Sequence, residues 1–143
     1  MPLNFSGSLI EGFEFTFKDG KVISYNAKVG EEQLKRLLET DEGAMYLGEV
    51  ALVQYDSPIS NMGILFYNTL FDENASCHLA LGKAYPVNVK GGEHMDSATL
   101  IENGINDSIT HEDFMVGTKD LSIVGITHDG EEVQIFKNGN YVI

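Results

Sequence analysis

One cysteine in 143 residues, Cys77, has nothing to pair with inside the chain. An internal disulfide framework is excluded, and the composition fits a reducing compartment. Basic residues are scarce too: nine Lys and Arg stand against 22 Asp and Glu, for a formal net charge of −13. The longest basic cluster is Lys35-Arg36. Binding nucleic acid or an anionic lipid surface needs concentrated positive charge, so neither is an expected partner. No apolar stretch approaches the roughly 18 residues of a spanning helix. The start, "MPLNFSGSLI", lacks a basic segment followed by an apolar one and does not read as a signal peptide. The expected location is cytoplasmic.

Several catalytic signatures are missing as well. "VKGGEH" has neither the strand–GxGxxG–helix context of a dinucleotide site nor the Lys-Ser/Thr of a P-loop. No serine sits in a GxSxG elbow, and no HExxH is present. Cys77 and His78 are adjacent, and neighbouring side chains on a helix point roughly 100° apart. They do not make a thiolate–base pair on such an element, and Cys77 is expected to pack as a small hydrophobe.

What is present supports one packed core: 43% of residues are hydrophobic and 22% charged. Phe13, Phe15 and Phe17 alternate with Glu14 and Thr16, the period of a half-buried strand. Asp19-Gly20 is a two-residue turn signal, and the strand returns from Val22 to Ala27. In "GEEQLKRLLETDEG", Leu34, Leu37 and Leu38 share a helical face, with acids in the first turn and Gly43 as a stop signal. Val50 to Val53 reads as a strand buried on both faces, headed by Glu49. "DENASCHLALGKAY" has helix propensity from Asn74 to Lys83, with helix and loop both open. Residues 86–112 form a long Gly-, Asn- and Asp-rich loop with one helical turn near "DSATLIENG". The end is a meander: "LSIVGIT", "EEVQIF" and "NYVI", joined by turns at His128-Asp129-Gly130 and Asn138-Gly139. No repeat or linker interrupts the chain. The predicted class is α+β, a strand-rich mixed sheet or barrel-like single domain with one or two short helices.

Glu49, His78, Tyr85, His94, His111, Asp113 and His128 are the residues able to carry chemistry. Imidazole nitrogen and carboxylate oxygen together suit a first-row divalent metal. His111-x-Asp113 stands before an apolar run, where the period of two sends both side chains to one face. As a bare pattern the pair is open between ligands and satisfied polar residues or a cap, and the second is the commoner outcome. Glu49 is equally open. Beside a buried strand it must be paired, protonated or coordinated; just outside the core, water solvates it. His94 in "GGEHMD" and His128 in "THDG" sit in turn-like contexts and read as surface histidines.

Longer stretches are more specific. "LGEVALV", "DSPISNMGILFYNTLFDENASCHLALGKAY" and "HEDFMVG" together resemble the thermophilic aminopeptidase family of two-metal metallopeptidases, which includes aminopeptidase T, AmpS and PepS. The likeness runs from about Ser6 to the end. It implies hydrolysis of the N-terminal peptide bond of peptides by a water that two divalent cations (Zn, Co, Mn or Mg) activate. It places metal ligands on Glu49, His78, His111 and Asp113, with Tyr85 as a catalytic residue at the metal centre. It also implies a homodimer when intact, and a further ligand glutamate in a "PTEEV"-like motif upstream, which this chain does not contain. Residues 1–143 are therefore expected to be the C-terminal metal-binding domain of an aminopeptidase. Its N-terminal domain lies outside this chain, its metal sites are partial or empty, and it is inactive alone. The alternative is a non-catalytic fragment acting as a folding or dimerisation module with weak or no metal binding.

Overall fold

A computed structural model describes residues 2–143. The chain forms two compact units, each made of two separate segments: residues 1–50 with 79–114, and residues 51–78 with 115–143.

The first unit opens with a short hairpin, β1 (Leu3–Phe5) and β2 (Ser8–Ile10), followed by a longer one, β3 (Glu14–Lys18) and β4 (Lys21–Asn26). The turn of the second hairpin is Asp19-Gly20, with φ of 51° and 77°. Positive φ at both central residues matches the twist of paired strands, as the Asp-Gly signal predicts. Helix α1 (Glu31–Leu38) follows, with Glu31 and Glu32 at its positive end and Lys35 and Arg36 at its negative end. Gly30 precedes it at φ 77°, and a side chain there would meet the Leu9 carbonyl oxygen at 2.8 Å. Only glycine fits that entry. Leu34, Leu37 and Leu38 are buried and join Leu3, Ile10, Val22, Leu81 and Phe114 in the core. Burying each such side chain is worth about 1.5–3 kcal/mol. Phe13 and, on β3, Phe15 and Phe17 pack on this core, with the Phe15 and Phe114 rings 5.1 Å apart.

A three-stranded sheet carries the remaining strands of this region, in the order β5 (Leu47–Ala51), β6 (His78–Gly82), β7 (His111–Met115). Lys83 N–H donates to Thr110 O at 2.7 Å, and Val116 N–H to Cys77 O at 2.9 Å. These bonds bracket β6 and β7 and make them antiparallel. Between β6 and β7 the chain is irregular except for single 3₁₀ turns and helix α4 (Ser97–Glu102). That is the predicted loop with its one helical turn.

The second unit holds the C-terminal meander, β8 (Ile123–Ile126), β9 (Glu132–Lys137) and β10 (Asn140–Tyr141), in the order β10-β9-β8. Its two helices are single turns, α2 (Pro58–Met62) and α3 (Thr69–Asp72). Ser57 caps α2 in a reciprocal box with Ser60, and Pro58 occupies the first helical position, where a missing N–H costs nothing. Buried Asp72 accepts from Phe66 N–H (2.9 Å) and Asn68 N–H (3.0 Å). The buried apolar residues here are Ala75, Cys77 and Phe136.

The fold is the expected strand-rich α+β, with differences in detail. The sheets have two or three strands each, and none among the described residues closes into a barrel. Among the described residues four short α-helices form rather than one or two. The Ala- and Leu-rich stretch after Asn74 is not helical beyond a 3₁₀ turn, and becomes β6. Its central place in the sheet buries four of its five residues, and that burial outweighs local propensity. Val50, expected to be buried on both faces, is exposed.

Candidate metal centre

The sheet β5–β6–β7 explains why residues far apart in sequence meet. Glu49 lies on β5, His78 opens β6, and His111 and Asp113 share one face of β7. Glu49, His78 and Asp113 each bring a ligand-type atom within 4.8 Å of the other two. Asp113 and His78 are buried, and Glu49 is half-buried. His111 adjoins them, its Nε2 lying 3.5 Å from Glu49 Oε2 and 3.5 Å from Asp113 Oδ1.

Two backbone carbonyls orient the imidazoles. His111 Nδ1 lies 2.7 Å from Lys83 O, and His78 Nδ1 lies 3.2 Å from Ser76 O. A carbonyl can only accept, so each Nδ1 carries the proton and donates it. In the neutral form of each ring, Nε2 is then the atom able to bind a metal, the arrangement that a metal-binding histidine uses.

Carboxylates this close repel each other by a few kcal/mol at an effective dielectric of about 20. A positive charge must offset them. His111 responds: its pKa is raised to about 9, chiefly by its side-chain contact with Asp113. Burial opposes the shift, and the Lys83 carbonyl and the charges of Asp113 and Glu49 add to it. A divalent cation performs the same service with more charge. Two carboxylates, two oriented imidazoles and partial burial are a donor set that fits a first-row divalent metal.

Two neighbours complete the picture. The Tyr85 ring packs 5.2 Å from the His111 ring at an angle of 53°, and the side chain is exposed. Glu112 lies on the opposite face of β7, the same face as buried Phe114. Loss of water there, reinforced by the Asp113 charge and opposed by His111, raises its pKa to about 7. His94 and His128 are exposed, as expected of surface histidines.

Sequence reasoning overlooked the groups that orient the two imidazoles. The carbonyls of Ser76 and Lys83 act through backbone and carry no side-chain signature. Gly48 did carry one, because glycine inside a strand marks close backbone approach. A Cβ there would stand 2.4 Å from Gly82 O and 2.6 Å from Lys83 O.

Comparison with known proteins identifies the family. The family described as thermophilic metalloprotease (M29) matches residues 1–141. The chain belongs to that family. Among the relatives of this M29 chain, aminopeptidase AmpS of Bacillus subtilis (strain 168) is 58% identical over 140 residues, 98% of this chain and 34% of that protein. Aminopeptidase T of Thermus aquaticus is 44% identical over 142 residues, 99% of this chain and 34% of its own length. The solved structure of wild-type AmpT from Thermus thermophilus shares the fold with a TM-score of 0.89 at 43% identity. That match covers 100% of this chain and 35% of the other. The M29 chain thus spans about a third of the length of the curated relatives it matches. Among its described residues, no helix is long and apolar enough to cross a membrane.

Proposed function

We propose that this M29 chain is the C-terminal, ligand-bearing part of a cytoplasmic metallo-aminopeptidase that removes N-terminal residues from peptides. Glu49, His78, His111 and Asp113 hold its divalent cations. One observation carries the reading: two carboxylates and two imidazoles converge on one small sheet, each imidazole oriented by a backbone carbonyl. Relatives named as aminopeptidases support the substrate class.

Bound divalent cations supply Lewis acidity toward a peptide carbonyl and make water nucleophilic near neutral pH. The chain's own residues do the rest. Glu49 and Asp113 provide the negative charge that retains the cations, while His78 and His111 provide neutral donors whose orientation is set in advance. Tyr85, an exposed residue whose ring packs beside that of His111, donates a hydrogen bond to the oxyanion that develops during hydrolysis. The acidic balance of the chain favours a substrate bearing a free amine. The rest of the enzyme supplies a further glutamate ligand, so the chain alone fills its metal sites incompletely and does not turn over. The intact enzyme is a homodimer.

Calorimetric titration of the chain with Zn²⁺ and Co²⁺ tests the site. Binding should be measurable, and Asp113→Ala or His111→Ala should weaken it by more than the roughly 10–100-fold typical of supporting residues. Leucyl-p-nitroanilide hydrolysis with Co²⁺ should be seen for the longer enzyme and not for this chain. Full activity in the chain would refute the need for an upstream ligand, and unaltered binding in both variants would remove the ligand assignment.

A further inference from the structure

The carbonyl that orients His111 is itself held from both sides. A peptide unit presents its C=O and N–H at opposite edges of one plane. In the unit joining Lys83 to Ala84, the C=O accepts from His111 Nδ1 at 2.7 Å, and the N–H donates to Asn106 O at 2.9 Å. In the preceding unit, joining Gly82 to Lys83, the N–H donates to Thr110 O at 2.7 Å. Its C=O accepts from Asn106 Nδ2 at 2.6 Å. Asn106 therefore grips both peptide planes that flank Lys83, one through its backbone and one through its side chain.

The same Nδ2 also donates to Gly43 O at 2.9 Å. Both partners are carbonyl oxygens, which fixes the amide with its nitrogen toward them. Space is as restricted as bonding. Gly82 has φ 93°, and a Cβ there would stand 2.2 Å from Thr110 O. On the other side, Gly48 brings the backbone immediately before Glu49 against the Gly82 and Lys83 carbonyls. The strand that carries one carboxylate and the carbonyl that orients one imidazole are thus packed backbone to backbone.

We infer that Asn106 is a positioning residue of the metal centre, which it serves by clamping the peptide planes around Lys83 and so fixing the carbonyl that orients His111. It touches neither substrate nor metal. The inference rests on the reading of His111 as a ligand only for its effect on metal affinity; the clamp on the His111 ring exists without it.

The test uses the ¹⁵N-labelled 143-residue chain with Asn106→Ala and Asn106→Asp, both of which remove the amide donor. In the unmodified chain the His111 Nδ1 proton should be slow to exchange with solvent. In both variants it should exchange faster and broaden, and the Co²⁺ dissociation constant should rise about tenfold. Ile10→Val trims the buried core without touching the clamp, and should leave both readouts in place. An unchanged His111 proton and unchanged Co²⁺ affinity in folded variants would overturn the role, as would an equal response to Ile10→Val. If neither variant folds, the unmodified chain decides. Its Asn106 side-chain protons should follow the same Zn²⁺ saturation curve as His111, and unmoved protons overturn the role. If the unmodified chain binds no metal yet the variants release the His111 proton, the metal reading fails and the clamp stands.

Discussion

The two compact units are stabilised by different means. The first buries Ile10, Val22, Leu34, Leu37 and Leu81 almost completely, in a cluster that also includes Phe13, Phe15, Phe17 and Phe114. The second buries little apolar side chain beyond Phe136, Cys77 and Ala75, and leaves Met62, Ile64, Tyr67, Leu70 and Phe71 exposed within ten residues. Its order comes instead from caps and turn hydrogen bonds. Ser57 and Asn68 cap two single-turn helices, Asp72 accepts from the Phe66 and Asn68 N–H groups that precede α3, and Tyr55 N–H reaches Gly139 O at 2.8 Å. Hydrophobic burial is the larger source of stability, so the first unit should resist opening more than the second.

The sharpest way to break this contrast is Leu37→Ala. It removes a fully buried side chain of the first unit and should lower the unfolding free energy by about 2–5 kcal/mol, read from the urea midpoint. A loss no greater than that of a surface substitution would refute the account of where stability resides. Smaller is the effect of Ser57→Ala in the second unit, which deletes the cap on α2 and a bond to Asn74 O at 2.8 Å. A loss of about 1 kcal/mol is expected. It should appear as faster amide exchange around residues 58–62 while the α1 amides keep their protection; equal acceleration of both would contradict independent support.

The smallest effect concerns acid. Asp41 has its pKa lowered, first by the Ile109 N–H, against the opposing effect of burial, and further by Ser108 and by the Ala44 and Gly43 N–H groups. A carboxylate with a depressed folded-state pKa is protonated first in the unfolded chain. Its contribution is therefore complete above its ordinary value of 3.8 and is lost as pH falls through the folded value. Asp41→Asn should flatten the stability profile below about pH 4. Asp129 in the second unit is also lowered, mainly by the Thr127 hydroxyl, but it is fully exposed, and Asp129→Asn should leave that profile unaltered. Identical profiles for both variants would show that the Asp41 network adds nothing.

Much of this was legible in the sequence because it rests on local rules. Asp19-Gly20 and Asn138-Gly139 announce their hairpins through the positive φ each turn demands, and the leucines of α1 declare their face by spacing. β6 was not legible, since Ala80, Leu81 and Gly82 suit several conformations until neighbouring strands enclose them. The site divides in the same way. The sheet brings Glu49, His78 and Asp113 together, which no spacing announces, and the ligand set came only from the family resemblance, since spacing alone left His111-x-Asp113 open. The carbonyls behind the histidines, and Asn106 behind one of them, belong to backbone geometry that no residue pattern spells out.

The interleaving of segments bears on biosynthesis. Residues 1–50 are made before residues 79–114, with which they share a compact unit. Phe114, which closes the core around Phe13 and Phe15, is made about a hundred residues after them. Until then the nascent chain exposes the aromatic face of β3, the kind of surface on which chaperones act. His111 and Asp113 arrive within three residues of that same phenylalanine. Completion of the core and delivery of the last two candidate ligands are therefore a single event in the life of the chain.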